Sequence, residues 1–193
     1  MAITDGISIT CNDLQRSGGI SQIMLRSWTS DTNVVYGNAA TEHDIDSILE
    51  LAAAAEWELF QFKDETPTLN VTATKENGST AFDCVLSFYL PKMQNDKFHI
   101  LQELLTTCMM GIVLDTNGKY WVIGVSEKYS VIDNQHKNQT YLNLTSMEGQ
   151  TGAAYSEENG ITVVLTARQY ELPREYVGTV VVNTGTLACT TAA

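Results

Sequence analysis

The chain has 193 residues, of which 44% are hydrophobic, and this is enough apolar material for a packed domain rather than a disordered chain. Eleven basic and 23 acidic residues give a formal charge of −12, so we expect no tight binding to nucleic acid and no attachment to an anionic membrane. The amino-terminal residues lack the basic and apolar parts of a secretion signal, which predicts synthesis in a reducing cytoplasm.

The first 41 residues contain short strand patterns separated by polar segments. Residues 7–11 alternate with a period of two, and residues 20–28 predict a second strand after the Gly18-Gly19 pair. Residues 29–41 are polar with a small apolar centre, which predicts a loop. A loop of this length is unusual inside a compact domain, and such loops are often functional.

A helix is expected next. Thr41 and Asp44 resemble a capping box, and apolar residues then recur with helical spacing. These apolar residues are Ile45, Ile48, Leu49 and Ala52. Over residues 57–62 the pattern changes to a period of two, which predicts a strand.

Two Asn-Gly pairs predict β-hairpins. A strand pattern over residues 69–74 precedes Asn77-Gly78 and a second over residues 81–90 follows it. Asn117-Gly118 is flanked by β-branched and aromatic residues. Because Asn and Gly accept positive φ at both central positions, we expect a two-residue type I′ turn at Asn117-Gly118. Between the hairpins, residues 96–108 carry an apolar stripe that predicts an amphipathic helix of about three turns, capped by Asn95 or Asp96.

The remaining patterns complete a mostly β fold. Strands are predicted over residues 141–146, 161–170 and 177–183, and loops over residues 133–139 and 149–160. The eight or nine strands with hairpin connections predict an antiparallel β-barrel or sandwich with one or two flanking α-helices. We expect a single β-rich domain over residues 1–193, with a long loop near 29–41 and a carboxy-terminal arm over 184–193.

No motif for catalysis or metal binding is present in the sequence. His43 lies among acidic residues, which the first turn of the predicted helix explains better than a metal site does, and His99 is predicted to lie at the surface. The cysteines are widely spaced and are predicted to be packing residues: Cys11, Cys84, Cys108 and Cys189. The aromatic residues are predicted to pack in the core, and an exposed platform for stacking sugars is the alternative. We therefore expect no enzyme activity, no metal and no cofactor.

The order of features between residues 45 and 170 is informative. Trp57 and Phe60 follow an acidic helix pattern, strands end in Phe-Tyr-Leu-Pro-Lys at residues 88–92, and a Leu-rich helix precedes Asp-Thr-Asn-Gly-Lys-Tyr-Trp at residues 115–121. This order resembles that of virion structural proteins of tailed bacteriophages, and most nearly of their tail-tube and tail-ring proteins.

The resemblance implies a β-barrel or sandwich with a flanking helix. It also implies hexameric rings that stack into a hollow tube, with the sheets of neighbouring copies lining the channel. The implied partners are further copies of this chain and other tail proteins, such as a sheath, a terminator or a baseplate hub. DNA would pass through the tube without being bound tightly, and the protein would reside in the virion tail after synthesis in the host cytoplasm. The family has no catalytic residues, so none is assigned here.

The predicted loop and arm are the candidate contacts between rings. The residues of this hypothesis are Asp31, Thr32, Asn33, Val34, Val35, Tyr36, Thr184 and Thr186. Deletion of residues 31–37 is expected to leave folded subunits that no longer polymerise.

Three alternatives remain open from the sequence. A head–tail adaptor would form one ring instead of a tube. A carbohydrate-binding β-sandwich on a tail fibre or cell surface would use the aromatic residues and acidic loops. A small hydrolase would need paired carboxylates as acid and base, and the sequence spacing gives no sign of such a pair.

Overall fold

The computed structural model describes residues 18–29, 32–37, 43–50, 53–54, 56–76, 78–126, 140–154 and 156–183. In chain order, these residues form strands β1 (Ile20–Ser27), β2 (Thr32–Tyr36), β3 (Asp44–Glu50), β4 (Ala53–Ala54), β5 (Glu56–Phe60), β6 (Thr68–Glu76), β7 (Ser79–Pro91), β8 (Met109–Asp115), β9 (Tyr120–Ile123), β10 (Asn143–Gln150), β11 (Gly160–Gln169), β12 (Arg174–Tyr176) and β13 (Val181–Asn183). Helix α1 (Asn95–Leu104) lies between β7 and β8. The predicted mostly β fold with a flanking helix is confirmed.

The strands form two sheets. The curled sheet has nine strands in the order β13-β5-β1-β8-β9-β12-β3-β2, with β4 beside β3, and it bends into a half-barrel. Its pairs β12–β3 and β13–β5 are parallel. The four-stranded sheet has the order β10-β11-β7-β6 and is antiparallel throughout. Met109 and Leu142 exchange two backbone hydrogen bonds of 3.0 and 2.9 Å, which join the two sheets.

The curled sheet is buried on both faces at its centre. Ile23 and Leu25 of β1 face the four-stranded sheet, where Leu101 of α1 completes the first core cluster. Met24 faces the interior of the half-barrel and belongs to a second cluster that contains Trp57. Burial on both faces explains why residues 23–25 of β1 and 109–114 of β8 form uninterrupted apolar runs instead of a strict alternation.

The prediction of a helix after Thr41 is wrong, because residues 44–50 form β3. Val35 of β2 lies opposite Ser47 and Tyr36 lies opposite Ile45, so Asp46 is an extra residue in β3. This bulge places Ile45 and Ile48 on the same buried side, and their three-residue spacing mimics that of a helix. His43 therefore precedes a strand and is not in the first turn of a helix.

Helix α1 is confirmed but is shorter than the predicted range 96–108. Gln94 is its N-cap, in place of Asn95 or Asp96, and makes no side-chain capping hydrogen bond. The exposed His99 lies 3.7 Å from Glu103, which confirms its predicted surface position. Because the chain leaves the helix after Leu104, Cys108 is exposed, and its prediction as a packing residue is wrong.

Cys84, in contrast, is buried in the first cluster and donates its S–H to Oε1 of Gln169 at 2.9 Å. Burial raises the pKa of the Cys84 thiol to about 12, which keeps it protonated and unreactive. The prediction of a packing cysteine is confirmed there, whereas Cys11 and Cys189 lie outside the described residues.

Most of the carboxy-terminal strand predictions are confirmed, with altered ends. Strand β10 continues to Gln150, into the range predicted as a loop, and β11 matches the predicted strand over residues 161–170. The single strand predicted over residues 177–183 is wrong, because β12 ends at Tyr176 and β13 begins at Val181. The predicted elements at 7–11, 133–139 and 184–193 lie outside the described residues.

Both Asn-Gly hairpins are confirmed, but the β8–β9 turn is not type I′. The N–H of Gly118 donates to the carbonyl of Asp115 at 3.1 Å, and the N–H of Asp115 donates to the carbonyl of Lys119 at 2.9 Å. Gly118 has φ +83, whereas Asn117 is not among the described non-glycine residues with positive φ. This is a three-residue turn with a left-handed glycine, one of the common hairpin connections.

The carboxylate of Asp115 organises this turn. It accepts hydrogen bonds from the backbone N–H groups of Asn117 and Lys119 at 2.8 and 2.9 Å, and from Nε1 of Trp121 at 3.2 Å. Burial alone would raise the pKa of Asp115, but these hydrogen bonds favour the charged form and lower the pKa below its ordinary value.

We expect Asp115→Ala to lower the free energy of unfolding by about 1 kcal/mol at pH 7. Because the pKa of Asp115 is depressed in the folded state, its stabilisation is present above the unfolded pKa of about 3.9 and is lost as the pH falls through the folded value. Urea unfolding at several pH values measures the difference, with the exposed Asp64→Ala as a control. A difference that does not shrink on acidification would contradict this role.

Candidate functional site

Five of the predicted contact residues between rings, at positions 32–36, lie on an outer strand and not in a loop. Residues 32–36 form β2, which pairs with β3 and with no other strand that the structure describes. The prediction of a loop over residues 29–41 is therefore wrong at its centre. Asp31, Thr184 and Thr186 lie outside the described residues.

The side chains of β2 point in two directions. Thr32 is buried, and its Oγ1 lies 3.0 Å from Oγ1 of Thr29. Val34 and Tyr36 pack against the second core cluster. Asn33 and Val35 are exposed on the opposite side. The apolar group at 34–36 is thus divided between core and surface, because successive side chains of a strand alternate.

This placement changes the expected effect of deleting residues 31–37. The deletion removes β2 together with the core contacts of Val34 and Tyr36, and it also removes the ring of Tyr36 over which the Arg174 guanidinium lies at 5.0 Å. We therefore expect loss of folding, which is a correction to the expectation that folded subunits would remain.

A sharper test uses the two exposed positions. We expect the double variant Asn33→Lys, Val35→Lys to stay within about 0.5 kcal/mol of the parent in stability, because both side chains point to solvent. If β2 contacts a neighbouring ring, the two added charges should abolish stacking of rings, which electron microscopy would reveal. Asp64→Lys, on an exposed turn away from β2, is the matched control. Normal stacking of the double variant would remove β2 from the interface.

A second candidate surface consists of the two edges of the four-stranded sheet. Strands β10 and β6 each pair on one side only among the described residues. Met147 on β10 and Val71 on β6 are 38% and 40% exposed, although each lies opposite a fully buried residue of the neighbouring strand. Local sequence patterns predicted both strands in part but not these edges, because no local pattern specifies the order of strands in a sheet.

The outer face of the four-stranded sheet is mainly polar. Oγ1 of Thr68 lies 2.8 Å from Oγ of Ser87, and Arg168 lies 3.8 Å from the Asp83 carboxylate. Strand pairing places further hydroxyl and amide side chains on this face, namely Asn70, Thr72, Thr162 and Thr166. The same pairing also places Val85, Tyr89, Val164 and Glu148 on this face. The face therefore combines polar and apolar groups with one carboxylate and a paired arginine.

A shallow depression of about 490 Å³ lies in the connection between β10 and β11. Two of its polar side chains are used to hold the connection itself. The Glu157 carboxylate accepts a hydrogen bond from the N–H of Ala153, and Oδ1 of Asn159 accepts one from the N–H of Met93 at 2.9 Å. These contacts stabilise the loop and do not point to a ligand.

The aromatic residues of the core pack as predicted. Trp57 and Phe88 are each 1% exposed, and the ring of Phe60 lies 6.4 Å from that of Phe88 in an edge-on arrangement. Phe60 and Phe62 are partly buried against the first cluster. Because Trp57 and Phe88 are buried, neither can belong to an exposed platform for stacking sugars.

Within the described ranges, no three His, Cys, Asp or Glu residues come together in a way that would hold a metal ion. The same part of the chain contains no helix with the length and apolar character needed to span a membrane. No protein-family model, curated protein or solved structure matches this chain.

Proposed function

We propose that this chain is a structural subunit of a bacteriophage tail, and that its copies form rings that stack into a tube for DNA. The supporting observation is the four-stranded antiparallel sheet, whose outer strands β6 and β10 each pair on one side only among the described residues. Strands β6 and β10 run in opposite directions, because three successive antiparallel pairs separate them. Copies related by a rotation about a ring axis therefore present β6 to β10 in antiparallel orientation.

Closing such a ring covers both edges in every copy. An exposed strand edge carries unpaired N–H and C=O groups and tends to pair with other chains. A closed cyclic arrangement satisfies these groups and limits growth within the plane. Growth then continues only by stacking, for which the exposed side chains of Asn33 and Val35 on β2 are candidates.

The outer face of the four-stranded sheet suits a channel for DNA. Nucleic acid is held mainly by Lys and Arg side chains that neutralise phosphates. On this face Arg168 is paired with Asp83, and the side chains around this pair are hydroxyl, amide and apolar groups without a further Lys or Arg among the paired residues of β6, β7 and β11 on that side. Such a surface is wettable and gives a passing polyanion little to bind. The proposed role is structural and not enzymatic, with further copies of the chain and other tail proteins as partners.

Negative-stain electron microscopy of the purified chain tests this function. Hollow tubes or stacked rings are the expected result. Single closed rings would favour a head–tail adaptor. Particles that remain monomeric at high concentration would overturn the assembly proposal, and binding of such monomers to a glycan array would favour the carbohydrate-binding alternative.

A further inference from the structure

We propose that β10 of one copy pairs with β6 of the next copy at a single register, in which Met147 of one copy lies opposite Val71 of its neighbour. This inference rests on the proposed ring of copies and specifies the contact that closes it. The occupant of each exposed edge is therefore a second copy of this chain, bound through its other edge.

The first support is the apolar character of the two positions. Val71 lies opposite the buried Cys84, and Met147 lies opposite the buried Val163, so both side chains are on the core side of the sheet. In an isolated copy the row of core-side residues ends at these two exposed side chains. Pairing them across the contact continues the row and removes apolar area from water.

The second support is the offset between the two positions. Val71 is level with Cys84 of β7, and Met147 is level, through Val163, with Phe88 of β7. Cys84 and Phe88 are four residues apart, which is about 13 Å along a strand. To bring Met147 beside Val71, each copy must be displaced by this distance along the strand direction relative to its neighbour.

The sheet is already offset in the required direction. Strand β10 lies level with residues 85–91 of β7, whereas β6 lies level with residues 79–87. A displacement of four residues across four strands, which together are about 19 Å wide, corresponds to a strand tilt of about 35°. Strands in closed β-barrels tilt by about 35–45°, so the register is compatible with closure.

The third support is the overlap of the two strands. At this register Gln150 lies opposite Thr68. Because Thr145 is an extra residue in β10, Asn143 lies opposite Thr74, so all of β10 lies along β6. A displacement two residues smaller would place Gln150 opposite Thr66, which lies before the start of β6 at Thr68, so the end of β10 would have no strand beside it. A displacement two residues larger would place Met147 opposite Ala73, and any odd displacement would place it on the wrong face.

Disulfide cross-linking tests the register. We would combine Val71→Cys with Met147→Cys in the full chain, with Cys11, Cys108 and Cys189 replaced by serine. Cys84 is replaced by alanine, because it lies directly opposite position 71 in the same copy and would otherwise compete for the new thiol. Residues directly opposite each other in antiparallel strands have Cα atoms about 4.5–5.5 Å apart, which suits a disulfide. Mild oxidation by dissolved oxygen with a copper catalyst should give a ladder of covalent multimers on a non-reducing gel.

The matched control combines Ala73→Cys with Met147→Cys, which reports the register that is two residues away. At the proposed register these positions are diagonal neighbours about 7–8 Å apart, so little cross-linking is expected. Each single cysteine variant should likewise give no ladder, because a ladder needs both edges.

A charge exchange provides a second test that does not depend on oxidation. We expect Val71→Lys, Met147→Lys to block assembly, because two positive charges would lie directly opposite each other. Val71→Lys, Met147→Glu should assemble, because the charges are then opposite in sign. Both positions are exposed in the single copy, so circular dichroism should show folded protein in each case.

The outcomes separate this register from the proposed function. A ladder from the Val71/Met147 pair alone supports the register. Rings or tubes with a ladder from the Ala73/Met147 pair, or with no ladder, would overturn the register and leave the ring intact. A ladder without rings or tubes would support the pairing and overturn the tail function. Monomers without cross-links would overturn both.

Discussion

Phe88→Ala is expected to lower the free energy of unfolding by about 3–5 kcal/mol. Phe88 is 1% exposed and lies in the first core cluster, between the four-stranded sheet, the curled sheet and α1. Truncation to alanine removes the ring and leaves a cavity that strands held in two sheets cannot easily close. Urea unfolding followed by circular dichroism measures the loss.

Leu172→Ala is the control for this variant, because Leu172 is also a large apolar side chain but is 59% exposed. Its expected effect is within about 0.5 kcal/mol. The loss in Phe88→Ala should appear in a single cooperative transition, since the first cluster contains residues of both sheets. A loss below about 1 kcal/mol would mean that the two sheets do not pack through Phe88.

Gly178→Ala is expected to destabilise the fold by about 2–3 kcal/mol. A Cβ atom on Gly178 would lie 2.3 Å from the carbonyl oxygen of Asp46 and 2.7 Å from the hydroxyl of Tyr176. The first of these is a backbone atom at the bulge of β3, and it cannot move without disturbing the parallel pair β12–β3. Thermal and urea unfolding would show the loss.

Gly18→Ala is the matched control, because a Cβ atom there would meet nothing within 4 Å. Its stability should equal that of the parent within about 0.5 kcal/mol. Equal stability of both glycine variants would contradict the close approach of residue 178 to the bulge. Destabilisation of Gly178→Ala alone would support the half-barrel closure by β12 and β3.

The assembly surfaces follow from the same architecture. The two positions that define the proposed register, Val71 and Met147, belong to strands that the sequence analysis predicted in part. Their significance depends on their being the outer strands of one sheet, on opposite sides, with antiparallel directions. The exposed Asn33 and Val35 are likewise candidate contacts only because β2 lies at the edge of the curled sheet.

The sequence by itself determined the local elements of this protein. The Asn-Gly pairs specify the two hairpins, the stripe around Leu101 specifies α1, and runs of β-branched and aromatic residues specify most strands, because each depends on neighbours within a few residues. The composition predicted a packed chain, and the acidic charge predicted little attraction for phosphates.

Only the tertiary structure decided the elements that depend on distant partners. The bulge at Asp46 exists because β2 lies beside β3, and it gave Ile45 and Ile48 the spacing of a helix. The β8–β9 turn is a local exception: its three-residue form is held by the Asp115 carboxylate, which accepts hydrogen bonds from backbone N–H groups two and four residues ahead. The sheet order and the parallel pairs join residues that are far apart in the chain, and the positions of the exposed edges follow from that order. Local residue patterns carry no information about such pairings, because their free energy comes from contacts that exist only after the chain has folded.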